Sequence, residues 1–263
     1  MRGRRTVRTV RTVLPPLVTV VLVLLVWVFL TTGGRVEDYV LPSPGSVVTA
    51  LTDTWSDRLA PATWVTLSET LLGMAAGLAA ALGITILAGY LPVVGIALAP
   101  LLVASQSVPV VVIGPIFTIA LGYGITPKVL VVALMFFFPV AMNLLSGIRD
   151  ADPHLIDTMR SLHATRHSLF WRVRFPAALP AGFAGLRVSV TFAPVAAVFS
   201  EYTGSTDGIG YLLLQAIPRL QTDFVFALVV VLTALAAVLL LATTALERLC
   251  CPWNVTRQHR KES

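Results

Sequence analysis

Long stretches without a single charge limit what this chain can become more than any other feature. They cover Val13–Leu30, Thr70–Pro127, Val129 up to Arg149, and Phe224–Leu246. A helix needs roughly 20 mostly apolar residues to cross a bilayer. Thr70–Pro127 is long enough for two crossings, and the segment Tyr90-Leu91-Pro92-Val93-Val94-Gly95 is the natural place to divide it. A further segment, Ala181–Tyr202, is apolar except for Arg187 and Glu201 near its ends. Only 12% of residues are charged, against about 25% in soluble domains. In lipid every backbone N–H and C=O must be paired internally, so continuous apolar runs become helices; a β-barrel would show short alternating strands instead. The expectation is an all-α integral membrane protein with six transmembrane helices.

Basic residues orient these spans. Fifteen of the 19 Lys and Arg fall in the N-terminal tail, the segment from Arg149 to Arg187, and the C-terminal tail. Arg35, Arg58, Lys128 and Arg219 lie on the other side. Positive charge accumulates on the cytoplasmic face, so both termini are expected in the cytoplasm. The net charge of +6 then reports topology rather than nucleic-acid binding. Val13–Leu30 is longer than a usual signal-peptide core and no A-x-A-like cleavage site follows, so it reads as an uncleaved first span.

The expected organisation is a basic cytoplasmic tail (1–12), a first span (13–30), an external loop (31–62), a five-helix core (63–248) and a cytoplasmic tail (249–263). Within the external loop, Ser43 or Ser46 is placed to cap a short amphipathic helix through Val47, Leu51 and Trp55. The longest cytoplasmic segment, 149–180, interrupts the core. There Leu155, Met159 and Leu162 share one helical face, and Leu169, Phe170 and Val173 share another after a break. Two short helices joined by a turn are expected, in a form suited to a partner's groove.

Catalytic chemistry is not expected. A phosphate-cradling loop needs G-x-x-x-x-G-K-[ST], and the two lysines, Lys128 and Lys261, stand in no such context. His163 and His167 are spaced i, i+4 with no third ligand at metal spacing, so no metal site is expected. Ion-coupled transport would leave ionisable residues in mid-membrane. The candidates Glu69, Arg187 and Glu201 all fall near span ends, so an ion-coupled secondary transporter is the runner-up reading, ahead of a non-transporting scaffold. Gln106 and Ser107, just before Pro109, are candidates for a transport pathway, and Glu201 for a gate or an interfacial carboxylate beside Tyr202.

The segment Asp157–Pro176 resembles the EAA loop of ABC importer permeases, written E-A-A, three residues, G, nine residues, I-x-L-P. Asp157 stands at the Glu, Thr158 and Met159 at the two Ala, and His163 at the Gly; Val173, Phe175 and Pro176 stand at the Ile, Leu and Pro. The spacing is kept while several identities change. Leu41-Pro42-Ser43-Pro44, Thr66–Gly73, Ser105–Pro109, Gly122-Tyr123-Gly124 and Phe199–Tyr211 are similar to the sulfonate, nitrate and thiamine-precursor subgroup.

This resemblance implies a MetI-like ABC permease core with cytoplasmic coupling helices, set in the bacterial inner membrane. It implies a separate ATPase subunit that binds the ATP, an extracytoplasmic solute-binding protein, and a second permease copy forming a homodimer. The chain itself would carry no cofactor. The substrate implied is a thiamine pyrimidine precursor, or a sulfonate or nitrate. Asp157, Met159, Leu162, His163, Ala164, Phe170 and Pro176 would form the ATPase-coupling loop, with Leu162, Ala164 and Phe170 in the ATPase cleft. Glycine at the position of His163 would end the first helix with positive φ, a conformation His adopts at some cost.

Overall fold

A computed structural model describes residues 2–32, 36–105 and 109–253. Every regular element among them is helical. The chain divides into two compact units, residues 1–60 with 213–230 and residues 61–212 with 231–263.

The smaller unit holds α1 (Arg2–Thr31), α2 (Pro44–Thr54) and the beginning of α11 (Thr222–Cys250). The basic stretch expected as a separate tail is thus already helical. Ser43 caps α2: its extended backbone and its hydroxyl, which accepts from the Ser46 amide at 3.1 Å, satisfy one of the free N–H groups at a helix start. Val47 and Ala50 of α2 are buried with Ala227, packed by Trp27 and Phe226. The Trp27 indole donates to the Pro42 carbonyl at 2.9 Å, which ties the segment before α2 to α1.

The larger unit contains α3 (Ala60–Tyr90), α4 (Pro92–Ser105), α5 (Val110–Leu121), α6 (Ile125–Arg149), α7 (Pro153–Ser161), α8 (Arg166–Leu169), α9 (Phe175–Glu201) and the first half of α10 (Ile209–Ala216), with most of α11. Among the described residues, four helical runs are long and apolar enough to cross a membrane: Pro44–Tyr90, Ile125–Arg149, Arg166–Glu201 and Thr222–Cys250. Shorter apolar helices cover Val18–Thr31, Val93–Ala104 and Val112–Leu121. The expected third span is therefore two helices of 14 and 12 residues, with Pro109 preceding the second. Pro109 has no N–H to continue a ladder, and its own backbone is extended, at φ −66° and ψ 121°, where the second helix starts.

Two helices expected as separate short pieces are instead continuous with spans. A π-helical turn, Trp55–Leu59, joins α2 to α3, and another, Phe170–Arg174, joins α8 to α9. A π-turn adds a residue without breaking the ladder, and such turns recur at functional sites. Only α7 remains a separate short helix in the segment that resembles the EAA loop.

The core of the larger unit forms where α6 meets α9, around Phe136, Val140, Ala141, Leu144, Val190, Ala193 and Ala197. Small residues set this approach. A Cβ on Gly185 would run into the Pro139 carbonyl and Asn143, and one on Gly77 into the Ala133 carbonyl of α6. Close backbone approach of this kind is how helices gain contact where lipid is as apolar as their side chains. Ser189 adds a buried hydrogen bond to the Phe136 carbonyl at 3.1 Å.

Candidate functional site

The first candidate region is the turn after α7. Asp152 caps that helix, its carboxylate accepting from the His154 amide at 2.9 Å, and Pro153 occupies the first turn, where its missing N–H costs nothing. At the other end His163 is left-handed, with φ 57°. Its amide donates to the Arg160 carbonyl at 2.9 Å, and the Ala164 amide donates to the Met159 carbonyl at 3.0 Å. This pair of bonds is a complete Schellman closure, the ending that usually places glycine where His163 stands. Thr165 then caps α8 through its hydroxyl, which accepts from the Ser168 amide at 3.2 Å.

Replacing His163 with glycine is expected to remove the left-handed penalty and stabilise the chain by about 0.5–1 kcal/mol. A small rise in melting temperature in detergent checks this; a fall would show that the imidazole itself is needed.

The residues of the segment that resembles the EAA loop do not all face the same way. Leu162 is 72% exposed at the turn, His163 and Asp157 are exposed, and Ala164 is half-buried. Asp157 makes an exposed ion pair with Arg160 at 3.4 Å. Met159 and Pro176 line one groove of about 670 Å³, with Leu155 and Val173. Phe170 is different: it is 1% exposed, and its ring fills the space that the absent side chain of Gly89 leaves. It meets Trp171 edge-on (ring centroids 5.1 Å apart) and packs at a tilt against Tyr90 (5.5 Å) and Phe175 (5.8 Å). A side chain enclosed in this way cannot enter a partner's cleft, so the expectation for Phe170 is corrected; it anchors the turn from below. His167 joins the same cluster through Nδ1, 2.7 Å from the Tyr90 hydroxyl.

The second region lies at the far end of the run Arg166–Glu201, ~50 Å away at 1.5 Å per residue. Glu201 is 0% exposed, which excludes an interfacial carboxylate reaching to solvent beside Tyr202. Thr66 donates to its Oε1 at 2.6 Å and the Gly210 amide donates to Oε2. The Ile209 amide in turn donates to the Thr66 hydroxyl at 2.9 Å. A Cβ on Gly208 or Gly210 would strike this carboxylate, and Gly208 has φ 109°, open only to glycine at low cost.

Beside it Glu69, 2% exposed, receives a hydrogen bond from Lys128 at 2.7 Å, and the same ammonium donates to Ser205 at 2.7 Å. The cluster joins α3, α6, the end of α9 and the segment 205–210. Buried carboxylates are the feature that ion-coupled transport requires; here an ammonium pairs with Glu69 Oε1, a hydroxyl and a backbone amide pair with Glu201, and Glu69 Oε2 is buried without a hydrogen-bond partner among the described residues. Arg187 is likewise paired, with Glu247 of α11.

Sequence reasoning missed Thr66, Lys128 and Ser205. One signal was available: Thr66, Glu69, Thr70 and Gly73 recur at helical spacing and form the buried face of α3. Gln106 and Ser107 lie outside the described residues.

Residues 73–250 match the family of binding-protein-dependent transport system inner membrane components. A protein of Haemophilus influenzae carrying the name "Probable ABC transporter permease protein" is 35% identical over 211 residues, covering 80% of this chain and 86% of that one. The formylaminopyrimidine transport permease protein ThiX of Halalkalibacterium halodurans is 31% identical over 218 residues, covering 83% of this chain and 87% of that one. A chain of the inward-facing MetNI methionine ABC transporter has a similar fold, with a TM-score of 0.61 at 17% identity over 73% of this chain and 95% of that one.

Proposed function

This chain belongs to the family of binding-protein-dependent transport system inner membrane components, and from that premise we infer how it works and what it carries. It is the multi-pass permease subunit of an ABC importer. Two identical copies pair in the bacterial cytoplasmic membrane with both termini in the cytoplasm, in keeping with the Arg-rich segments on one face. ATP is bound and hydrolysed on a separate subunit, and the permease contributes no catalytic group, cofactor or metal. A binding protein delivers the solute to the opposite face.

The observation that carries this reading is the turn at Leu162-His163-Ala164. It presents an exposed leucine on a closed Schellman turn, while Phe170 fastens the following helix to the end of α3. A push on this turn is thus delivered to α9 and, along it, to the cluster around Glu201. Leu162 and Ala164 enter the ATPase cleft; Asp157 and His163 flank them; Met159 and Pro176 support the groove behind. Glu201 closes the outer end of the transport path, and Gln106 and Ser107 line it.

Leu162→Asp places a charge in an apolar contact and is expected to weaken ATPase association at least about tenfold. The check is co-purification of the tagged chain with a P-loop ATPase from native membranes in mild detergent. Undiminished recovery with the Leu162→Asp chain would sink the placement. The solute is a pyrimidine precursor of thiamine, supported by likeness to ThiX along most of the chain. Uptake of labelled formylaminopyrimidine that depends on this chain tests it; uptake of a sulfonate instead would reassign the substrate.

A further inference from the structure

Arg149 and Arg174 open onto one cavity of about 460 Å³ in the larger unit, walled by Ile96, Leu145, Ile148 and Ile156. Arg149 is the last residue of α6, and so stands where a membrane-spanning helix meets the interface. Its Nη2 donates to the Gly95 carbonyl of α4 at 2.5 Å. Arg174 ends the π-turn beside the proposed coupling segment, and its Nε is buried without a hydrogen-bond partner among the described residues. Such an N–H gives up water and receives nothing in return, an arrangement native interiors avoid unless a ligand, an ion or an ordered water supplies the acceptor. No carboxylate among the described residues lines the cavity. The neighbouring Asp150 faces the groove on the other side, where it accepts from Ser146 at 3.1 Å.

We propose that this cavity holds the phosphate of an anionic lipid headgroup. Two guanidinium groups offer planar forks that match phosphate oxygens. The walls favour a lipid over a free phosphate. Val93 and Ile96 of α4 are 75% and 69% exposed, which leaves an apolar surface beside the cavity mouth for acyl chains. Basic pockets between spans at the Arg-rich side of a membrane suit headgroups of this kind. A lipid seated here bridges α4, the end of α6 and the start of α9. This assignment needs only that the chain is a membrane protein, and it stands apart from the choice of ATPase contacts or solute.

The test is native mass spectrometry of the full chain in detergent, titrated with phosphatidylglycerol or with phosphatidylcholine of the same acyl chains. Wild type should hold phosphatidylglycerol at least about tenfold more tightly than the double variant Arg149→Gln/Arg174→Gln, as expected for lost hydrogen bonds to a charged group. Arg248→Gln, an exposed arginine outside the cavity, should bind as wild type. Arg174→Lys, which keeps the charge and loses the fork, should fall between, and it carries the comparison if the double variant does not purify. Equal losses in the double variant and in Arg248→Gln would reduce the effect to general surface charge and overturn the site. Equal binding of the two lipids would do the same. Displacement of phosphatidylglycerol by millimolar inorganic phosphate would assign the cavity to a free anion and overturn the lipid.

Discussion

Replacing Lys128 with methionine is expected to destabilise the chain by about 3–5 kcal/mol, because it leaves the buried Glu69 carboxylate without its counter-charge. The side chains of Glu69 and Lys128 are 3% and 12% exposed, so water cannot take over the role of the ammonium. The same substitution removes the bond to Ser205, which frees the segment that returns through Gly208 and Gly210 to Glu201. The measurement is thermal unfolding of the detergent-solubilised chain. The double variant Glu69→Gln/Lys128→Met separates charge from shape: without a charge to compensate, it should recover most of the loss. A double variant as unstable as Lys128→Met would mean that packing around the lysine stem, rather than the ion pair, holds this end of the bundle. The comparison is a double-mutant cycle on residues in direct contact, where additivity fails by the amount of the interaction.

Phe170→Ala is expected to cost about 3–5 kcal/mol as well, by a different mechanism: a cavity is left where an aromatic ring was fully enclosed. The ring fills the space against Gly89 and touches Tyr90, Trp171 and Phe175, so four positions lose contact together. Phe170→Leu should cost less than half as much, since most of the volume stays. Both are read by melting temperature. The contrast with Leu162→Asp is the informative part. Leu162 is exposed, so its substitution should leave melting unchanged while ATPase recovery falls. Phe170→Ala should lower both, recovery falling only because the turn loses its footing. If Phe170→Ala melted like wild type and still lost the ATPase, the ring would be a contact residue after all.

Coupling between the two regions has a physical route. The run Arg166–Glu201 is helical throughout, with the aromatic cluster at one end and the carboxylate cluster at the other. Both ends also grip α3, at Tyr90 and at Thr66. A displacement at the coupling turn therefore loads two helices together, which favours rigid-body movement over local bending.

How much of this was legible in the sequence depends on the range of the interaction. Membrane character, helical class and the division after Tyr90 follow from uncharged runs and Pro92, because hydrophobicity and backbone satisfaction act over single segments. The cap at Ser43 or Ser46 was legible for the same reason, since a cap involves residues three or four apart, while the helix ending at His163 came from the resemblance to the EAA loop. The spacing from Asp157 to Pro176, taken with the similarity along most of the chain after Leu41, pointed to ABC permeases even where identities change. Segment-by-segment reading failed where helices fuse, since a π-turn carries no composition signal.

The sequence by itself determined that this chain is a helical membrane protein with short helices joined by a turn between two of its apolar runs. Those properties arise from transfer free energies and from hydrogen bonds between near neighbours. Tertiary structure alone decided that Phe170 faces inward, that Glu201 is sealed by Thr66 and Gly210, and that Lys128 neutralises Glu69. Glu69 and Lys128 are 59 residues apart, and Thr66 and Glu201 are 135 apart. Whether a carboxylate at the end of a span meets water or an ammonium depends on which helix lies beside it, and no local pattern carries that information.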